Sequence, residues 1–161
     1  MRRILNATVR NQQGVLNRFT GILTRRQVNI ESISVGETID PIWSRITIVI
    51  QVDHVADIQQ VIKQLHKMID VKKVVDITDQ KAIERELALI RVHAPLTQRA
   101  AIQTTIEPFR ASIVDAHEKA YVIQLVGDHE KIEACIENLR PFGIVEIART
   151  GVVGLTRTQT T

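Results

Sequence analysis

Arg45-Ile46-Thr47-Ile48-Val49-Ile50-Gln51-Val52 is the stretch that decides how this chain folds. On an extended backbone Ile46, Ile48, Ile50 and Val52 fall on one side, and Arg45, Thr47, Val49 and Gln51 on the other. One face is wholly aliphatic and the other mixed, which predicts a half-buried strand in an antiparallel sheet.

Working back from this strand, residues 4–10 alternate in the same way, with Leu5, Ala7 and Val9 opposite Asn6 and Thr8. Asn11-Gln12-Gln13-Gly14 breaks that strand. Val15, Leu16, Phe19, Ile22 and Leu23 then recur at the spacing of one helical face, predicting a helix over 15–26 that Asn29 punctuates. Residues 30–36 read as a second strand, joined to the quoted one through a turn containing Asp40-Pro41. Working forward, Ile58, Val61, Ile62, Leu65 and Ile69 form a second helical stripe, and residues 71–77 a fourth strand. The order is β-α-β-β-α-β.

A polar, unpatterned stretch begins at Thr78. Beyond it the same order recurs: a strand over 87–93, a helix marked by Ile102, Ile106 and Phe109, and paired strands over 112–116 and 120–126 about the His117-Glu118-Lys119 loop. A helix carrying Ile132, Cys135, Ile136 and Leu139 is halted near Pro141 and Gly143, and a closing strand spans 144–148. The fold class is therefore α+β, two tandem ferredoxin-like βαββαβ domains, over 1–78 and 84–161 with a linker at 79–83. In the tail, residues 151–154 are expected to be partly ordered and the final Thr-rich residues disordered.

Composition narrows the function. With 161 residues and 44% apolar content the chain can bury a core. Lys plus Arg exceed Asp plus Glu by 21 − 18 = 3, and the basic residues are scattered along the sequence. One Trp, one Tyr and three Phe leave few platforms on which bases could stack, so no nucleic-acid partner is expected. The single cysteine, Cys135, excludes an internal disulfide framework and reads as a small packed hydrophobe. Residues 1–10 read as a strand rather than a signal peptide, and no apolar run is long enough for a membrane span. These features suit a cytoplasmic protein.

Little in the sequence reads as reaction chemistry. The histidines at 54, 66, 93, 117 and 129 are dispersed without metal-site spacing, and no nucleophile elbow, GxGxxG or P-loop string occurs. Gln13-Gly14-Val15-Leu16-Asn17-Arg18 matches six positions of the acylphosphatase loop. That family's second element is missing, since Ser32-Ile33-Ser34-Val35 stands in its place. Gly14 opens the first helix directly after a strand, where free amides and the helix dipole suit a carboxylate, although such glycines also serve merely to permit a tight turn. Asn11 and Asn29 can offer side-chain oxygens to an ammonium group. Alternatively, Asn11 closes a turn and Asn29 takes the left-handed conformation that ends a helix.

Arg2-Arg3-Ile4-Leu5, the Asn11 to Gly14 loop, Leu16 with Arg18, Asn29-Ile30-Glu31-Ser32 and Ser44-Arg45-Ile46-Thr47 together resemble the small subunit of acetohydroxyacid synthase (acetolactate synthase). Lys63-Gln64-Leu65-His66-Lys67, Asp70-Val71, Glu84-Arg85-Glu86-Leu87 and Arg149-Thr150-Gly151-Val152-Val153-Gly154-Leu155 extend the resemblance over nearly the whole chain. It implies a non-catalytic regulatory subunit with an N-terminal ACT domain that forms a homodimer. The partner it implies is a separate catalytic large subunit carrying thiamine diphosphate, magnesium and FAD, none of them on this chain. It further implies feedback by valine, bound between two ACT domains at positions matching Asn11, Gly14, Val15, Leu16, Asn29 and Ile30. A free-standing amino-acid sensor is the alternative of another class.

Overall fold

Strand β3 (Trp43–Gln51) contains the decisive alternation, and it sits inside a four-stranded antiparallel sheet ordered β2-β3-β1-β4. Its neighbours are β1 (Arg2–Arg10) and β2 (Asn29–Glu37), with β4 (Val71–Asp76) beyond β1. This computed structural model describes residues 1–158. The register sets Leu5 against Ile48 and Ala7 against Ile46, so the aliphatic sides of the two central strands share one face. Helices α1 (Val15–Arg25) and α2 (Val55–His66) cover that face. Phe19 and Leu23 from α1, and Ile58, Val61 and Leu65 from α2, are buried with them in a single core.

Two details depart from the sequence reading. The left-handed residue after α1 is Gln27 (φ 55), whereas Asn29 is already the first residue of β2. The chain has to turn at Gln27 so that Val28 and Ile30 can both pack on the core; Val28 N–H then donates to the Leu23 carbonyl at 3.0 Å. Ile69 does not extend the α2 stripe. The helix ends at His66, Met68 takes the packing position, and Ile69 stands 93% exposed in the turn to β4.

The other face of the sheet is closed over part of its area by the C-terminal segment. Ile4, Val49 and Ile77 bury Val152 against them. Beside this cluster the buried Asn6 accepts from Thr47 Oγ1 at 2.8 Å and donates Nδ2–H to the Gly154 carbonyl at 2.9 Å. The short strand β9 (Val153–Thr156) pairs with β5 (Ala82–His93), and Arg157 N–H donates to the Lys81 carbonyl. The first compact unit is thus Met1–Ile83 together with Val152–Thr161, and the second is Glu84–Gly151. The partly ordered 151–154 stretch is in fact firmly packed, because Val152 and Gly154 complete an otherwise open apolar and amide surface. The expected terminal disorder bears on residues 159–161, which lie outside the described residues.

The second unit repeats the topology with β5, α3 (Arg99–Ile106), β6 (Ser112–Ala116), β7 (Ala120–Gly127), α4 (His129–Leu139) and β8 (Ile144–Arg149), in sheet order β6-β7-β5-β8. Ile90, Ile102, Ile123, Leu125, Ile132 and Leu139 lie in its core. Asp128 caps α4 by accepting Lys131 N–H at 2.9 Å. Cys135 is fully buried there, and burial pushes its thiol up to about 11, so it behaves as the packed hydrophobe its surroundings suggest.

Candidate functional site

At the start of α1, Gly14 adopts φ 80, a left-handed conformation that costs glycine little and other residues more. It occupies the N-cap position but has no side chain to cap with, and no acid stands in the first turn. The leading amides and the positive end of the helix dipole are therefore uncompensated by the helix's own residues. Arg18 adds to this charge. Its Nη1 lies 3.0 Å from where a Cβ on Gly14 would sit, and its Nη2 is anchored to Asp70 at 2.7 Å. Val15 N–H is directed to the Gln12 carbonyl at 3.4 Å, and the helix N-terminus and the guanidinium beside a residue without a side chain form a candidate seat for a carboxylate.

Asn11 lies at the mouth of the same turn. Its backbone N–H donates to the Ile42 carbonyl at 2.8 Å, and its Nδ2 donates to Glu37 Oε1 and to the Pro41 carbonyl, each at 3.1 Å. Both amide protons are thereby used, so what Asn11 can still offer a ligand is its Oδ1, an acceptor of the kind an ammonium group needs. Leu16 is 43% exposed at the edge of this turn, whereas Val15 is buried and turns its side chain into the core. Any contact from Val15 is through its backbone.

Asn29 and Ile30 are elsewhere. They begin β2 opposite Gln51 and Ile50, while Glu37, next to Asn11, ends β2 opposite Ser44. Between the two groups run the eleven residues of α1, about 16 Å of helix. A single copy brings together Asn11, Gly14, Val15 and Leu16 and leaves Asn29 and Ile30 at the far end of β2. That strand is an outer member of its sheet and nine residues long.

The sequence reading did not assign Arg18 or Glu37 to the site. Arg18 follows Gly14 by one helical turn, a spacing that could have marked it. Glu37 is 26 residues from Asn11, and only the sheet register joins them.

Two of the dispersed histidines serve the fold: the backbone N–H of His54 donates to Asp57 at the start of α2, and His66 Nε2 accepts Val74 N–H at 3.2 Å. Among the described residues no cluster of His, Cys, Asp and Glu is arranged to hold a metal, and no helix is long and apolar enough to cross a membrane.

Comparison with known proteins places these features in context. Residues 5–73 match the family model described as the AHAS small subunit-like ACT domain, and residues 85–158 match the model for the small subunit of acetolactate synthase. The acetolactate synthase small subunit of Bacillus subtilis (strain 168) is 52% identical over 98% of this chain and 91% of its own length. That of Aquifex aeolicus (strain VF5) is 45% identical over 96% of this chain and 80% of its own. The crystal structure of the acetolactate synthase small subunit from Thermotoga maritima superposes with a TM-score of 0.89 at 33% identity, covering 99% of each chain.

Proposed function

This chain belongs to the family of acetolactate synthase small subunits, and we propose that it is the regulatory subunit of such a synthase, activating a separate catalytic chain and making it answer to valine. The thiamine diphosphate, magnesium and FAD of the reaction belong, on this reading, to the catalytic chain. This chain contributes an amino-acid site and a dimer interface within the branched-chain amino-acid pathway.

The observation that carries the reading is the division of the candidate site between the two ends of β2. A second copy that pairs its own β2 antiparallel with this one across a twofold axis brings the Asn29 end of one copy beside the Glu37 and Asn11 end of the other. The ligand carboxylate then meets the α1 N-terminus and Arg18 of one copy. Its ammonium meets Asn11 Oδ1 and the start of the partner's β2, and its branched side chain lies among Leu16 and the aliphatic residues of the interface. Because each site contains groups from both copies, valine favours one arrangement of the dimer over others, and the attached enzyme feels that choice.

A complementation experiment tests this. Asn11→Ala and Asn29→Ala proteins should each bind valine weakly by calorimetry. Mixed in equal amounts and allowed to exchange, they form heterodimers in which one of the two sites is wholly wild type, so about a quarter of all sites should regain full affinity. No recovery after demonstrated exchange means that the site is not shared between copies. If the wild-type chain fails to raise the activity of any cognate thiamine-dependent synthase, the regulatory reading itself is wrong.

A further inference from the structure

The helix-free face of the first sheet carries a second feature that the valine site does not use. Alternation along β1 and β3 turns Thr8, Arg10, Trp43 and Arg45 away from α1 and α2, and Lys73 joins them because it pairs with Thr8. Arg10 and Lys72 both approach the Trp43 ring, with their charged groups 5.5 and 5.0 Å from its centroid. Val152 and Gly154 cover the half of this face around Ile4, Asn6 and Val49. In the other half Arg45, Lys72 and Lys73 are exposed.

Positive charge is left over here. None of Arg10, Arg45, Lys72 and Lys73 makes an ion pair among the described residues. The carboxylates at the same end of the sheet are engaged: Glu37 by Asn11, Asp40 by Ile42 N–H, and Asp70 by Arg18. Elsewhere in the chain, Arg3 is matched by Asp76 and Asp79, and Arg149 by Glu86 and Glu133. The indole holds two of the four cations in place by its ring quadrupole, so the patch is partly ordered before anything binds.

We propose that this patch around Trp43 is a docking surface for an acidic segment of the catalytic chain. The proposal rests on the regulatory reading above and names the surface through which it acts. Charge decides the occupant. A second copy related by a twofold axis would set these cations against themselves, which electrostatics disfavours. A single strand held by base stacking needs a free aromatic face, and Arg10 and Lys72 already lie over the Trp43 ring. A protein surface rich in Asp and Glu satisfies the four cations and can lie flat on a sheet.

Trp43 is the only tryptophan, so protein grown with 5-fluorotryptophan gives a single fluorine resonance that reports on this patch. Adding the unlabelled catalytic chain should shift or broaden that resonance in step with activation. Arg45→Glu combined with Lys73→Glu should raise the concentration needed for half-activation by about tenfold or more, whereas Arg45→Lys with Lys73→Arg should leave it near wild type. Valine calorimetry and dimer mass should be unchanged in both variants. Raising ionic strength from about 0.1 to about 1 M should weaken activation by the wild-type chain, as the screening length falls from about 10 to about 3 Å.

Half-activation of the double-Glu variant within about twofold of wild type, a resonance unmoved at saturation, or a shift produced by RNA and not by the catalytic chain would each overturn the proposal while leaving the regulatory reading intact. A wild-type chain that neither binds nor activates the synthase removes both.

Discussion

The two units share one topology and differ at the turn into their first helix and along one edge strand. Both put two helices on one face of a sheet ordered with the first strand inside and the second at an edge. In the first unit the turn into the helix is glycine at φ 80, with no side-chain cap. In the second the corresponding helix α3 opens with Arg99. The Arg99 guanidinium donates to the carbonyls of Ala94, His117 and Glu118 and lies 4.8 Å over the Tyr121 ring. The side chain there ties adjoining loops together where the first unit leaves space. The edge strands differ in length, β2 running nine residues and β6 five, although each has one register shift, at Glu31 and at Val114. What makes the first unit the candidate for a ligand is therefore what the scaffold omits at one turn, and the shared topology alone does not supply it.

The largest expected effect tests whether the units really divide their duties. Phe19 and Ile102 are both fully buried on equivalent helices. Phe19→Ala should cost about 3–5 kcal/mol and Ile102→Ala about 2–5 kcal/mol by urea unfolding. Only Phe19→Ala should also erase valine binding under conditions where the protein is partly unfolded. Equal loss of valine binding from both would mean that the second unit takes part in the site.

Next in size is Gly14→Asp. The new carboxylate would occupy the place of the ligand's own and force a non-glycine residue to positive φ, so valine affinity should fall by at least about tenfold while the chain stays folded. Gln98→Asp, at the N-cap of α3, should leave valine binding unchanged and, if anything, stabilise that helix. If Gly14 serves only the turn, Gly14→Ala and Gly14→Asp will lose about 1 kcal/mol of stability alike, with affinity untouched.

Smaller is the cost of opening the closed half of the helix-free face. Asn6→Leu would leave the Gly154 carbonyl and Thr47 hydroxyl without their buried partner, at about 1–3 kcal/mol. Hydrogen exchange at residues 152–156 should quicken in that variant, and if it does not, the Val152 packing and the β9–β5 pairing hold the C-terminal segment without Asn6.

The smallest effect concerns the second core. With its thiol pushed up to about 11 by burial, Cys135 is almost entirely protonated at pH 8. Because the reactive thiolate forms only as pH rises toward that value, native protein should resist iodoacetamide at pH 8 and unfolded protein should react at the ordinary rate of a thiol near 8.5. Rapid native labelling would show that α4 opens readily.

Much of the fold could be read in the sequence because periodicity is local. The alternation around Ile48 and the stripe from Val15 to Leu23 each identify an element and its buried face without reference to any other part of the chain. One local feature was misjudged: Asn29 looked like a helix-ending residue, but the demand that Val28 and Ile30 both reach the core moved the turn to Gln27. The tail was misjudged for the opposite reason. Residues 151–154, expected to be only partly ordered, are instead fixed by Asn6 and Ile4, nearly 150 residues away in sequence.

The candidate site divides along the same line. Gly14 after a strand, and a family motif around Asn11 and Asn29, were visible in the order of residues. That Asn11 is turned by Glu37, that Arg18 is held beside Gly14 by Asp70, and that Asn29 lies at the far end of β2 depend on strand register and helix length, which bring together or separate residues far apart in sequence. Sequence by itself determined two βαββαβ units and the chemistry available at the first turn. Only the tertiary structure decided that, within one copy, Asn11 and Gly14 stand apart from Asn29 and Ile30, because a rigid helix of eleven residues and the full length of β2 separate them.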